Sequence, residues 1–224
     1  MEKNYNYLLK YIIIGNASVG KSNLLMRFTQ NKFTENYQAT IGVEFGAKNI
    51  EINKKTYRIQ VWDTAGQENF RSITRSYFKN SVCAMVAYDI SNRKSFEDIN
   101  TWIEEVQNQS PKTISIILVG NKIDLKDKRE VSYEEGNDLA KKNGIIFMET
   151  SAKTGENVDD IFKKSAQEIA KKIESNFYNL NSENCGIIKG DNEENDMFGG
   201  KSNITNEEIL LKRKGNAKGK KGCC

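Results

Sequence analysis

Histidine is absent from the 224-residue chain. That removes the side chain most often used as a general base near neutral pH, so any chemistry here has to lean on positioning and charge neutralisation. Long apolar runs are absent as well. Stretches such as Val82 to Tyr88 fall far short of the roughly 18 residues a membrane span requires. No secretory signal opens the chain, because Lys10 interrupts the first apolar stretch and no small-residue cleavage site follows. A protein made and kept in the cytosol is the expectation. Cysteine is sparse: Cys83 inside an apolar run, Cys185 in a polar tract, and the terminal pair Cys223-Cys224. No pair has metal-site spacing, and adjacent cysteines are poor material for a structural disulfide. Cys83 reads as a small buried hydrophobe. Neither sign of charge dominates, since 34 basic against 30 acidic side chains leave a net +4. That balance is too weak to argue for nucleic acid, and none is expected as a partner. The length suits one well-cored domain with an appendage and is too short for two large domains.

What the chain does have is Gly15 to Ser22, GNASVGKS, which fits G-x-x-x-x-G-K-[ST] and follows directly on the apolar run Ile12-Ile13-Ile14. A strand feeding a glycine-rich loop that opens a helix aims several backbone N–H groups and a helix N-terminus at one spot, which suits a polyphosphate. Gly15 and Gly20 permit the unusual backbone, Lys21 is placed to reach β- and γ-phosphate oxygens, and the Ser22 hydroxyl is placed to ligate Mg²⁺. Ala17, Ser18 and Val19 within the loop, and Asn23 just inside the helix, join the nucleotide-binding set. The bland alternative is a Gly-Lys-Ser turn with Lys21 as a solvated charge. By itself the motif says nucleoside triphosphate and leaves the base open.

Around it the chain alternates strand-like and helix-like patterns. Leu8 to Ile14 reads as a central strand and Lys21 to Gln30 as a helix carrying Leu24, Leu25 and Phe28. Val43 to Ile52 and Thr56 to Trp62 read as a hairpin around Asn53-Lys54-Lys55. Val82 to Asp89, Ile114 to Gly120 and the shorter Ile145 to Met148 are continuous apolar runs of the kind buried on both faces in a parallel sheet. Helical patterns lie at Ser95 to Gln109, Ser132 to Lys142 and Val158 to Ile173. The pattern predicts an α/β fold, a mixed and mostly parallel sheet with helices on both faces, with the ligand at the carboxyl ends of the strands.

Four further stretches fall at those ends. Asp63-Thr64-Ala65-Gly66-Gln67 closes a strand: Asp63 can hold Mg²⁺, the Gly66 amide can meet a γ-phosphate, and Gln67 can orient an attacking water. Asn121-Lys122-Ile123-Asp124 follows a buried strand. Asp124 can accept from both N1–H and N2–H₂ of guanine, a pair that adenine does not present. Asn121 can bridge back to the phosphate loop, and the Lys122 stem can cover the purine face. In Ser151-Ala152-Lys153 the Ala152 N–H can donate to guanine O6. In the loop Phe33 to Thr40, Thr40 can offer its hydroxyl to Mg²⁺ and its N–H to the γ-phosphate. Each stretch alone reads equally as a turn or a surface loop; their position after buried strands is what separates them from that.

Taken together, GNASVGKS, Thr40 to Phe45, WDTAGQE at Trp62 to Glu68, FRSITRSYF at Phe70 to Phe78, YDIS at Tyr88 to Ser91, NKID and ETSAK resemble the Ras superfamily, and specifically the Rab family of small GTPases. The resemblance covers residues from about 8 to 175 and includes the terminal double cysteine. The wording IGVEFGAK and RSITRSYF is similar to the subgroup working between endoplasmic reticulum, Golgi and early endosomes. It implies a P-loop NTPase G domain over 1–175, with a six-stranded sheet containing one antiparallel strand, and a GTP/GDP switch that orders the loops around Thr40 and Asp63 to Ser76. It further implies that Phe45, Trp62 and Tyr77, with Ile41, are read by effectors, and that Phe33 lies against the guanine edge. Hydrolysis would rest on Gln67 and Lys21, with an arginine brought by an activating protein. Ala17 stands where Ras proteins carry glycine, a departure that bears on the intrinsic rate. Implied partners are an exchange factor, a GTPase-activating protein, a GDP dissociation inhibitor, an escort protein and GTP-state effectors, on a monomeric G domain.

From residue 176 onward composition shifts. Residues 175 to 211 hold two lysines against seven acids, which predicts disorder, and residues 212 to 221 hold six basic side chains and no acid. Beside Cys223-Cys224 this resembles two-signal anchoring: geranylgeranyl groups on both cysteines plus basic attraction to anionic headgroups. The implied location is the cytoplasmic face of Golgi, ER–Golgi or endosomal membranes, with a cytosolic pool when inhibitor-bound. Two other readings remain open on sequence: a non-hydrolysing guanine-nucleotide scaffold, which Gln67 and Thr40 oppose, and a P-loop kinase or ATPase, which Asp124 opposes.

Overall fold

Side-chain alternation along the first strand decides which layer each residue joins. In β1 (Tyr7–Ile14), Leu9, Tyr11 and Ile13 enter one apolar cluster while Ile12 and Ile14 enter another on the opposite face of the sheet. A strand with no polar face needs a cover on both sides. The computed structural model describes residues 5–35, 40, 42–66, 77–182 and 184–190. Among these, α1 (Lys21–Gln30), β2 (Val43–Ile52), β3 (Lys55–Thr64), β4 (Cys83–Asp89), α2 (Arg93–Glu97), α3 (Ile99–Gln109), β5 (Ser115–Asn121), α4 (Tyr133–Asn143), β6 (Ile146–Thr150), α5 (Val158–Glu174) and β7 (Ile187–Lys189) follow in order. The sheet runs β2-β3-β1-β4-β5-β6, with β2 antiparallel to β3 and the neighbouring pairs from β3 to β6 parallel.

One face is covered by α1 and α5, where Phe28 and Phe162 stack at 3.8 Å between ring centroids. The other is covered by α3 and α4 through Trp102, Ile103, Val106 and Ala140. β4 is buried at every position, Cys83 included, as a continuous apolar run requires. The hairpin turns at Asn53 and Lys54, both at positive φ, so Lys55 already belongs to β3 rather than to the turn. The helix expected from Ser95 begins at Arg93, because the Asn92 side chain caps it by accepting from the Ser95 N–H. Asp98 divides it into α2 and α3 without leaving the right-handed helical region.

Among the described residues the six-stranded mixed sheet carries a short additional strand, β7, beside β1, and packing continues past residue 175: Tyr178, Cys185 and Ile187 are buried in the same cluster as α1 and α5. β1 pairs with β4 only from Tyr11 onward, which leaves residues 7–9 with an open edge, and β7 fills it as an antiparallel strand. Gly186, at φ +70°, lets the backbone approach so closely that a Cβ there would lie 2.4 Å from the Val82 nitrogen. A handful of apolar residues in a polar tract suffices, because the strand they complete is already built. The compact unit accordingly runs to Asn192.

Candidate functional site

β1 ends at Ile14 and the backbone turns at once. Gly15 and Gly20 hold φ of +136° and +95°, and Cβ atoms there would lie 2.1 Å from the Ala87 carbonyl oxygen and 2.4 Å from Asn121 Nδ2. Only glycine fits such a cradle. α1 then opens with no side-chain cap and no acid in its first turn, whereas α4 carries a full Ser132–Glu135 capping box. The first N–H groups of α1 therefore face the cavity with no side-chain acceptor, the arrangement that suits an anion. Lys21 Nζ donates to the carbonyls of Gly15 (2.9 Å) and Asn16 (2.8 Å). Burial pulls its pKa down to about 8 against the attraction of Asp63.

Ser22, Thr40 and Asp63 converge beside it. The Ser22 and Thr40 hydroxyls lie 2.9 Å apart, and Ser22 also donates to Asp63 Oδ2. Asp63 is fully buried, its pKa is pushed up to about 6 by that burial, and its Oδ1 has no hydrogen-bond partner among the described residues. A buried carboxylate oxygen without a donor, next to two hydroxyls, is a donor set for a hard divalent cation. Gly66 packs against the phosphate loop, where a Cβ would come within 2.5 Å of Lys21 Nζ and the Ala17 nitrogen.

On the far side, β5 and β6 deliver the second half. Asn121 is 1% exposed. It donates to the Val19 carbonyl (2.8 Å) and accepts from the Thr150 hydroxyl and the Ala152 N–H (both 3.2 Å). One amide thus ties the phosphate loop to two further loops. Ser151 donates to Asp124 Oδ1 at 2.6 Å, which orients that carboxylate. Lys122, at φ +70°, pairs its ammonium with the nearly buried Asp89 at 2.7 Å, which lays its stem along the cavity wall.

The cleft measures about 480 Å³. Ala17, Ser18, Gly20, Lys21, Ser22 and Asn23 line one end of it, and Asn121's neighbours Lys122 and Asp124, with Ala152 and Lys153, line the other. Phe33, Thr40 and Gly66 also face it. Gly15, Val19 and Ser151 stand behind the wall as supports. Away from the cavity, Phe45, Trp62 and Tyr77 form a row with ring centroids 4.9 and 5.0 Å apart, Phe45 half exposed. Lys10 lies over Trp62 at 5.6 Å. Gln67, Ile41, the stretch Phe70 to Ser76, and Cys223 and Cys224 lie outside the described residues.

Several supports left no mark in the sequence. Trp102 Nε1 donates to Asn16 Oδ1 (2.7 Å) and Asn16 Nδ2 to Asp98 (2.8 Å), so α3 braces the phosphate loop. Arg27 reaches the Ala152 and Lys153 carbonyls from α1. Thr34, Glu35 and Leu125 complete the rim, where Glu35 pairs with Lys153 at 2.9 Å.

A model of the Ras family matches residues 10–171, which takes in this cavity and every loop that lines it. Across 173 residues the chain is 51% identical to Ras-related protein Rab-2B of Dictyostelium discoideum, covering 77% of this chain and 86% of that protein. On these two findings this chain belongs to the Ras family, as a Rab-type small GTPase.

Proposed function

We propose that the cavity holds guanosine tri- or diphosphate with its phosphates at Gly15 to Ser22 and its base between Asn121 to Asp124 and Ser151 to Lys153. As a Rab-type GTPase the protein is a GTP/GDP switch that hydrolyses GTP in vesicle traffic. Asn121 carries the reading of the site, because its three hydrogen bonds join the phosphate loop to both base loops around one cavity.

On phosphate binding Lys21 exchanges two carbonyl acceptors for β- and γ-oxygens, and the open N-terminus of α1 takes the remaining charge. Ser22, Thr40 and Asp63 would hold Mg²⁺, which would supply charge neutralisation there. Thr40 and Gly66 then meet the γ-phosphate only while it is present, so its loss releases both loops. Gln67 orients the attacking water, and an arginine from an activating protein raises the rate by about 10⁵-fold, as in GTPases of this class. Asp124 reads N1–H and N2–H₂, Ala152 N–H reads O6, and Phe33 lies along the base edge.

Effectors read Phe45, Trp62 and Tyr77 with Ile41. An exchange factor, an activating protein, a GDP dissociation inhibitor and an escort protein complete the cycle. Geranylgeranyl groups on Cys223 and Cys224 with the basic run 212 to 221 hold the protein on the cytoplasmic face of ER–Golgi, Golgi or endosomal membranes, with a cytosolic pool in the inhibitor complex. Competition of labelled GTP by ATP tests the base reading: ATP is expected to displace little at a large excess, and equal displacement overturns it. Live imaging tests the anchor: a form lacking Cys223-Cys224 is expected to be diffuse and Gln67→Leu to stay on membranes, and a membrane-bound form without the cysteines overturns it.

A further inference from the structure

Arg27 is not among the residues that line the cavity, yet it connects elements that do. Its Nε donates to the Ala152 carbonyl (2.9 Å) and its Nη2 to the Lys153 carbonyl (2.7 Å). Its Nη1 donates to both the backbone carbonyl (3.1 Å) and the Oδ1 (3.0 Å) of Asn31, the left-handed C-cap of the same helix. Four N–H groups of one rigid fork are thus committed, two to each end of a bridge. A Cβ added on Gly155 would come into van der Waals contact with the Arg27 stem, 3.6 Å from its Cδ.

The loop held this way is the one whose Ser151 orients Asp124 and whose Ala152 lines the cavity. That N–H bonds Asn121 Oδ1 at 3.2 Å, the long end of the normal range, which leaves it open to a second acceptor. Fixing the peptide that follows it limits how the N–H can turn. α1 also begins at Lys21 and Ser22, so the helix that opens on the phosphates holds the base loop by its other end.

We propose that Arg27 is a positioning residue for base recognition: by clamping the Ala152 and Lys153 carbonyls to the end of α1 it aims the Ala152 N–H at the 6-oxo group of the base. This rests on the guanine reading above. A lysine cannot replace it, because one ammonium cannot span both carbonyls and the helix end.

The test compares release of GDP and of 2-aminopurine riboside diphosphate, which lacks the 6-oxo group, from the full-length chain. Arg27→Met and Arg27→Lys are each expected to speed GDP release about tenfold, with little change for the analogue, consistent with losing one oriented hydrogen bond. Equal acceleration of both nucleotides, or none for GDP, overturns the proposal. Should Arg27→Met fail to fold, Asn31→Ala, which removes one acceptor at the helix end alone, is expected to speed GDP release selectively by about two- to threefold, and an unselective or absent effect overturns it equally. Wild-type protein that releases both nucleotides at one rate refutes the guanine reading itself. Wild-type discrimination that survives unchanged in the Arg27 variants refutes the role of Arg27 alone.

Discussion

The two halves of the site are built on opposite principles. On the base side every polar group named above already has a protein partner: Asn121 has three, Asp124 has Ser151, and Lys122 has Asp89. On the phosphate side the charges are buried and incompletely matched. Lys21 rests on two carbonyls with its pKa lowered to about 8, and Asp63 has an oxygen with no partner among the described residues and a pKa raised to about 6. A preorganised half discriminates, since a wrong base leaves buried groups unpaired. An incomplete half responds, since only a ligand supplies what is missing.

The sharpest test of the first half is Asp124→Asn, which replaces an acceptor of two hydrogen bonds by a group that also presents donors. GTP affinity is expected to fall about 100-fold in a binding titration, while the melting temperature of the nucleotide-free protein stays near wild type. Asn121→Ala removes the common support and is expected to cost about tenfold to thirtyfold in affinity, with a lower melting temperature as well, because it leaves the Thr150 hydroxyl and the Val19 carbonyl unpaired. Comparable losses of affinity in both variants without the difference in melting would erase the distinction between reader and support.

For the second half the signal is pH. The pKa of Asp63 in the fold lies above its ordinary 3.8. Its contribution to the nucleotide-free fold is therefore full below that value and lost as pH rises through about 6. The pKa of Lys21 lies below its ordinary 10.5, so its contribution is present above that value and lost as pH falls through about 8. Between the two both groups are charged and the unliganded site is at its least stable. Asp63→Asn is expected to raise the nucleotide-free melting temperature at pH 7.5 by about 4 °C, with the gain shrinking as pH is lowered toward 4. It is also expected to blunt the acceleration of nucleotide release by a chelator. A pH-independent gain would mean that Asp63 is not strained by its surroundings. The smallest effect belongs to the rim: Glu35→Ala breaks an exposed ion pair with Lys153 and is expected to change nucleotide release less than about threefold, with salt removing the difference.

How legible these parts were follows from how far apart their residues lie. β1, β4 and β5 announce themselves as unbroken apolar runs, and Gly15 to Ser22 as a local motif. NKID is equally local: its Asn121 bonds the phosphate loop at Val19 and its Asp124 accepts from Ser151. β7 was invisible because three residues in a polar tract have no periodicity to read; only the open edge at residues 7–9 gives them a place. Arg27 and Trp102 were invisible for a related reason. Their long contacts span 86 to 126 residues, on backbone or on an amide, and such contacts impose no spacing on the chain.

The seventh strand also settles the fate of a thiol. Folding of that strand seals Cys185, whose sulfhydryl donates to the Ile187 carbonyl at 3.3 Å, and β4 seals Cys83, whose thiol burial pushes well above the usual range. A reagent that alkylates thiolates at neutral pH is thereby steered away from both in the native protein. The two equivalents of alkylation gained in denaturant then measure how tightly the sheet keeps its sulfur out of water.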